Sequence, residues 1–205
     1  MLRESGVSDI QFVKTLSYNT KGDWGYVDGI LSQRIDPPSN ANASFYFPSG
    51  SIVLHSTLRR VTETLGPNRS VHLIEMFELR EVPFNLGERA SGEREFQEQP
   101  SVFVRKRFKE SFCSDTLFVS RVRLFAEIRA VLIRALEQKS GQTAVISHSF
   151  RLALIDAFIK TSGEIMTNPR LIHDFIIDDK KTRGFGESFF IVRKDIIDAL
   201  SVHGS

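Results

Sequence analysis

Residues 143–160, TAVISHSFRLALIDAFIK, change period in mid-run. The first five residues form a short apolar run, the pattern of a buried strand. From Phe150 onward the apolar residues recur at helical spacing. A strand feeding directly into a helix is the repeating unit of an α/β fold. His148 and Ser149 stand at the junction.

The rest of the chain supplies further units of this kind. The run 9–14 (DIQFVK) predicts a first strand, 51–55 (SIVLH) a second and 71–77 a third. Between the first two, residues 17–50 are rich in Gly, Asp, Asn and Pro and predict a long loop, a length usually associated with function or disorder. A helix is expected over 57–65, stopped by Gly66-Pro67. Residues 78–100 are polar and are expected to be irregular. Helices follow at 102–112 and 117–137. In the second of these, Val122, Phe125, Ile128, Leu132 and Leu136 mark an apolar stripe. Residues 143–147 predict a strand and 150–160 a helix. Segments 175–178 and 188–193 suggest a terminal hairpin around DDKKTRGFGE, followed by a short helix from Lys194. Strands alternating with helices, without a linker or an internal repeat, predict one domain over residues 1–205. The expected architecture is a three-layer α/β/α sandwich with a largely parallel central sheet.

Composition narrows the partners. A net charge of +2 is too small to imply a nucleic-acid or membrane surface by itself. Cys113 is the only cysteine, which excludes an internal disulfide and a Cys-based zinc site. No pair of histidines has helix-facing metal spacing, so neither a metal nor another cofactor is expected. The first twelve residues, MLRESGVSDIQF, lack the apolar core of a signal peptide, and no run approaches membrane-spanning length. A reducing, cytoplasmic setting is the simplest expectation.

In open α/β sheets, ligands sit at the carboxyl ends of the strands. His148 ends a strand and Ser149 opens a helix, whose free N–H groups attract anions. His148, as a cation next to that helix N-terminus, would make a phosphate or carboxylate pocket. The alternative is a histidine that only finishes the strand through backbone bonds.

Four segments, taken in order, resemble the histidine phosphatase superfamily, in particular its phosphoglycerate mutase branch. VISHSFRLALI is similar to the second-histidine motif V-S-H-G-G-x-x-R. HSTLRRVTETL resembles S-P-L-x-R-A-x-x-T-A, with Ser56, Leu58, Arg60 and Thr64 on matching positions. FELREVPFNLGE resembles L-x-E-x-x-x-G and puts Glu81 at the proton donor. DTLFVSRVRLFAEI resembles the helix before the second histidine, with Arg121, Val122 and Phe125 in phase. The resemblance spans residues 9–193 and implies a phosphoglycerate mutase-like fold.

The first motif departs. Where the family carries R-H-G at the end of the first strand, this chain has Lys14, Thr15 and Leu16, and the following asparagine is matched only by Asn19, about two residues early. The resemblance implies that the lost histidine would have formed a phosphohistidine. A threonine hydroxyl cannot replace it without a base, and none is visible in the local sequence. Lys14 still offers a point charge in place of a guanidinium fork. Ser149 and Phe150 stand where the second motif has two glycines, and Phe150 is expected to roof or narrow the pocket.

These readings define the expected site. Lys14, Thr15, Arg60 and Ser149 would bind an anionic small molecule bearing phosphate or carboxylate. Glu81 and His148, with His55 at the end of the second strand, would do non-covalent acid–base work without a phosphohistidine. One alternative is a catalytically inactive pseudophosphatase serving as an interaction module. Another is an atypical phosphomonoesterase or phosphoglycerate mutase. No membrane partner is expected and nucleic acid is disfavoured. Whether the chain forms a homodimer is left open. The basic, aromatic run VRKRFK (104–109) fits a solvated helix face better than a nucleic-acid surface. Trp24 and Tyr26 could form a lid or pin the long loop to the core. Cys113 fits a small buried hydrophobe.

Overall fold

The computed structural model describes residues 9–15, 24–39, 45–66, 70–87, 94–139, 141–176 and 188–202. Five strands form one sheet: β1 (Ile10–Lys14), β2 (Ile52–Ser56), β3 (His72–Met76), β4 (Thr143–Ser147) and β5 (Ser188–Ile191). Their order is β3-β2-β4-β1-β5. The first four run parallel and β5 pairs antiparallel with β1, so the sheet is mixed but mostly parallel. Strand β4 occupies the centre, and all five of its residues are buried. That explains its uninterrupted apolar run, since a strand buried on both faces needs no polar alternation.

Successive side chains of the central strands enter two different apolar clusters, as the period of two requires. Ile10, Phe12, Leu54 and Val145 join the larger cluster with Phe125, Ile128 and Leu132. Val13, Val53, Ala144 and Ile146 join a smaller one with Val61, Leu65 and Phe47. Among the described residues the helices are α1 (Trp24–Leu31), α2 (Arg59–Leu65), α3 (Arg94–Glu98), α4 (Pro100–Cys113), α5 (Arg121–Glu137), α6 (Ser149–Lys160), α7 (Ile172–Phe175) and α8 (Arg193–Ser201). Helix α5 starts on Ser120, whose Oγ accepts from the Arg123 amide at 3.4 Å. Arg193 closes its other end by donating to the carbonyls of Leu136 and Gln138 at 3.2 and 2.7 Å. Those carbonyls would otherwise lack partners.

Several expectations are corrected. The long loop over 17–50 contains α1, whose last turn is held by the Ser32 amide donating to Asp28 O at 2.8 Å. Two glycines hid this helix, and Gly29 has a packing reason: a Cβ there would lie 2.5 Å from Ile35 Cδ1. The stretch 78–100 is neither uniformly irregular nor uniformly polar, because it contains α3 and the first residue of α4, and Leu79, Val82, Phe84 and Leu86 are all buried. Val122 leaves the predicted α5 stripe. It is 79 % exposed, and the buried face is Leu124, Phe125, Ile128, Val131, Leu132 and Ala135. The terminal hairpin is replaced by β5 pairing with β1, while Phe175 ends α7. Residues 177–187, where the hairpin turn was expected, lie outside the described residues.

Candidate functional site

Strands β2, β4 and β1 are neighbours and parallel, so their carboxyl ends reach the same edge of the sheet. Ser56 is the last residue of β2. Thr15 and His148 are the first residues past β1 and β4. The Thr15 amide donates to Ser147 O at 3.0 Å, extending the ladder by one bond. The three side chains then form a hydrogen-bonded row. Nε2 of His148 lies 2.9 Å from Ser56 Oγ, and its Nδ1 lies 3.5 Å from Thr15 Oγ1. Ser56 Oγ also accepts from the Leu58 amide at 3.3 Å.

His148 is not the cation expected beside a phosphate. It is buried, with 1 % of its surface exposed. Burial pushes its pKa well below the ordinary 6.5, and the charges of Arg60, Arg151 and Arg80 push the same way. The imidazole is neutral at pH 7. A neutral ring has one acceptor nitrogen, which a base requires.

Glu81 does reach the start of α6, but it reaches the backbone. Its Oε1 accepts from the Phe150 and Arg151 amides, both at 3.1 Å, and from its own neighbour Val82 at 3.1 Å. With His148 as N-cap, these are the second and third amides of the helix. His148 makes no side-chain cap, so a carboxylate from 69 residues away supplies one. The expectation that these N–H groups await a ligand is thus corrected: an internal carboxyl group accepts from two of them. Burial pushes the Glu81 carboxyl up, against the opposing effects of Arg60 and the three amides. The loop carrying Glu81 is fixed on every side. Ser147 Oγ donates to Leu79 O at 2.7 Å, Arg151 Nε donates to Arg80 O at 3.0 Å, and Gln33 Nε2 donates to Glu81 O.

Arg60 lies buried on α2, and its charge acts on both Glu81 and His148. It therefore belongs to this cluster and not to the solvated face of the helix. Lys14 is half-buried at the last position of β1, in register with Ser147. Ser149 is half-buried at the first position of α6. His55 is not part of the row. Its Nδ1 donates to Ser56 O at 3.1 Å, and strand alternation sends its side chain to the opposite face from Ser56.

Phe150 neither roofs nor narrows this row. It stacks on Phe108 of α4, with centroids 4.1 Å apart and planes at 12°, and meets Phe84 edge-on at 5.5 Å. The bulk of Phe150 thus fills an aromatic cluster. Sequence reasoning overlooked Arg151, whose Nη2 donates to Glu127 Oε2 at 2.9 Å in the interior. The only available signal was a charge inside the apolar run of α6. It also gave Ser56 no chemical role. Asn19 and Leu16 lie outside the described residues, and of Trp24 only the backbone is described.

The remaining candidates are ordinary. On α4, Phe103 and Phe108 are buried, while Lys106 and Arg107 pair with Glu95 and Glu110 at 2.8 and 3.3 Å. This is a solvated face backed by aromatic packing. Cys113 donates to Pro169 O at 3.5 Å, and burial pushes its thiol pKa up. Among the described residues no three His, Cys, Asp or Glu side chains are grouped to hold a metal ion, and no helix is long and apolar enough to cross a membrane. The chain matches no protein-family model and no curated protein sequence.

Proposed function

We propose that this chain is a repurposed protein of the histidine phosphatase fold. It binds an anionic small molecule at the carboxyl ends of β1, β2 and β4 and uses His148 as a neutral base. The observation that carries this reading is the row Thr15–His148–Ser56, with the buried Arg60 beside it. Apolar clusters on alternate side chains of the central strands support the three-layer arrangement. Arg60 supplies the fixed charge and fork geometry for an oxyanion. Thr15, in the place of the family's nucleophile, leaves no imidazole there to phosphorylate. Glu81 serves this site as an anchor of α6, within reach of the Arg60 charge.

The test is ligand-induced thermal stabilisation. Inorganic phosphate should raise the melting temperature by mass action, and Arg60→Ala should remove most of the rise. Equal shifts in both proteins would reject the pocket. Acid-labile phosphate on any histidine, after incubation with a phosphate ester, would reject the loss of the phosphohistidine route.

A second reading, an inactive pseudophosphatase in a reducing cytoplasmic setting, has its own observation. Thr15, Ser56, Arg60, Glu81 and His148 are all buried, and two amides of α6 are already occupied. No phosphate-induced shift, together with an intact fold, would favour that reading.

A further inference from the structure

The hydrogen-bond row fixes the tautomer of His148. Ser56 is fully buried, and its Oγ takes one hydrogen bond from the Leu58 amide. Its hydroxyl proton then has a single acceptor among the described residues, Nε2 of His148 at 2.9 Å. Were Nε2 protonated, the Ser56 proton would be a buried donor without a partner among the described residues, an arrangement folded proteins avoid. The assignment that satisfies the network puts the ring proton on Nδ1, directed at Thr15 Oγ1 at 3.5 Å. It leaves the Nε2 lone pair on the Ser56 O–H.

We infer that Ser56 is a nucleophile, His148 its general base and Thr15 the residue that orients the base. This inference rests on the anion-site reading above and deepens it. The bound anion is the acid part of an oxyacid ester. Nucleophile and base within about 2.6–3.2 Å, and the base held from its far side, are the general requirements for an activated hydroxyl. In the first step a bond forms from Ser56 Oγ to the electrophilic atom of the ester, and its bond to the alcohol oxygen breaks. The hydroxyl proton passes to His148 Nε2 and from there to the departing alcohol. In the second step water attacks the Ser56 ester and gives its proton to Nε2. Serine leaves with that proton, and the free acid is released. Arg60 offsets the charge on the acid oxygens. No oxidant or metal is needed. The charged groups acting on His148 are Arg60 from α2, Arg80 from the loop after β3 and Arg151 from α6, and Arg60 acts on the Glu81 carboxyl as well. The three arginines all favour the neutral ring, whose Nε2 lone pair is free to accept.

A neutral dialkyl fluorophosphate tests this without knowledge of the substrate. Its phosphorus should form a bond to Ser56 Oγ as fluoride leaves, and peptide mass spectrometry locates the adduct. The full chain should label at Ser56. His148→Gln should slow labelling on the order of 10²-fold or more. Thr15→Val should slow it less and keep the same site. If His148→Gln does not fold, the wild-type rate against pH decides. Transfer to an already neutral imidazole predicts a flat rate from pH 6.5 to 9. A tenfold rise per pH unit would report bulk ionisation of the hydroxyl and overturn the inference. So would a folded protein with no adduct on Ser56, an adduct on Thr15 instead, or an equal rate in His148→Gln. The probe carries no anion, so it does not depend on Arg60. Loss of the phosphate shift with labelling intact would reject the anion site alone. A retained shift without labelling would reject the nucleophile alone.

Discussion

Oε1 of Glu81 lies 3.1 Å from the amide nitrogen of Arg151 and the same distance from that of Phe150. One buried carboxylate therefore closes the first turn of α6 and fixes where the strand before it ends. The position of His148 follows from that bond, because His148 is the residue through which β4 passes into α6. A group expected to donate a proton to a ligand is committed to holding the frame of the base.

Glu81→Ala should therefore cost about 1–3 kcal/mol, the usual loss when buried donors lose their acceptor. Glu81→Gln keeps one carbonyl oxygen for the two amides and should cost less. Urea denaturation of the three proteins checks the order. An alanine variant as stable as the glutamine variant would mean that the amides find another acceptor and that Glu81 is free for chemistry.

Phe150→Ala should cost about 3–5 kcal/mol, the range for truncating a buried aromatic. Its ring is stacked on Phe108 and edge-on to Phe84, and these two meet each other at 5.3 Å. A side chain covering a ligand pocket would cost far less, and its loss would change ligand affinity instead. Denaturation curves with and without phosphate separate the two.

The parts legible in the sequence are the ones with a local cause. Strand β4 begins and ends at the predicted residues because its apolar run is bounded by polar ones. Helix α5 shows its period over 17 residues, but it starts at Arg121 and not at the expected Leu117, and Val122 at its first turn misled, since a terminal residue can carry the right phase with nothing to pack against. What stayed hidden depends on distant partners. Nothing near Glu81 announces that it will cap a helix 69 residues later. Thr15 had no visible base because His148 is 133 residues away. Helix α1 was masked by glycines whose reason is the Ile35 side chain. Strand β5 gained its place from pairing with the first strand, which a local hairpin pattern cannot foresee.

Arg151 tests whether the interior charge behind the site is needed for stability. Its side chain is 2 % exposed and that of Glu127 is 13 % exposed. Nη1 has no hydrogen-bond partner among the described residues. Arg151→Ala breaks the pair and leaves Glu127 with Arg123 at 3.2 Å, so the loss should be about 3–5 kcal/mol. Replacing both members with apolar residues, Arg151→Met with Glu127→Leu, removes both desolvation costs and should recover most of that loss. Stability measured on the two single variants and the pair gives the coupling directly. A double variant as unstable as the sum of the singles would show that the Nε bond to the Arg80 carbonyl, and not the ion pair, is what matters.

The stability of the folded protein should also report the protonation state of His148. Its folded pKa lies well below 6.5, because of burial first and then the charges of Arg60, Arg151 and Arg80. The unfolded chain restores a value near 6.5, so below that pH the unfolded state binds more protons than the folded one. Stability then rises with pH across the interval between the two values. The contribution of His148 is complete above pH 6.5 and is lost progressively as the pH falls toward the depressed folded value. Glu81 acts in the opposite sense, since its raised pKa lets the folded state hold a proton that the unfolded chain has released. Its effect falls between the ordinary value of 4.5 and its raised one, so it partly masks that of His148 wherever the two intervals overlap. The Glu81→Gln background removes this masking. In that background, urea midpoints from pH 8 to 5 should fall with acid when His148 is present. They should fall less in the variant that also carries His148→Gln, because glutamine has no proton to take up. Parallel pH profiles with and without the imidazole would mean that His148 keeps an ordinary pKa, and the neutral base at the centre of the site would have to be abandoned.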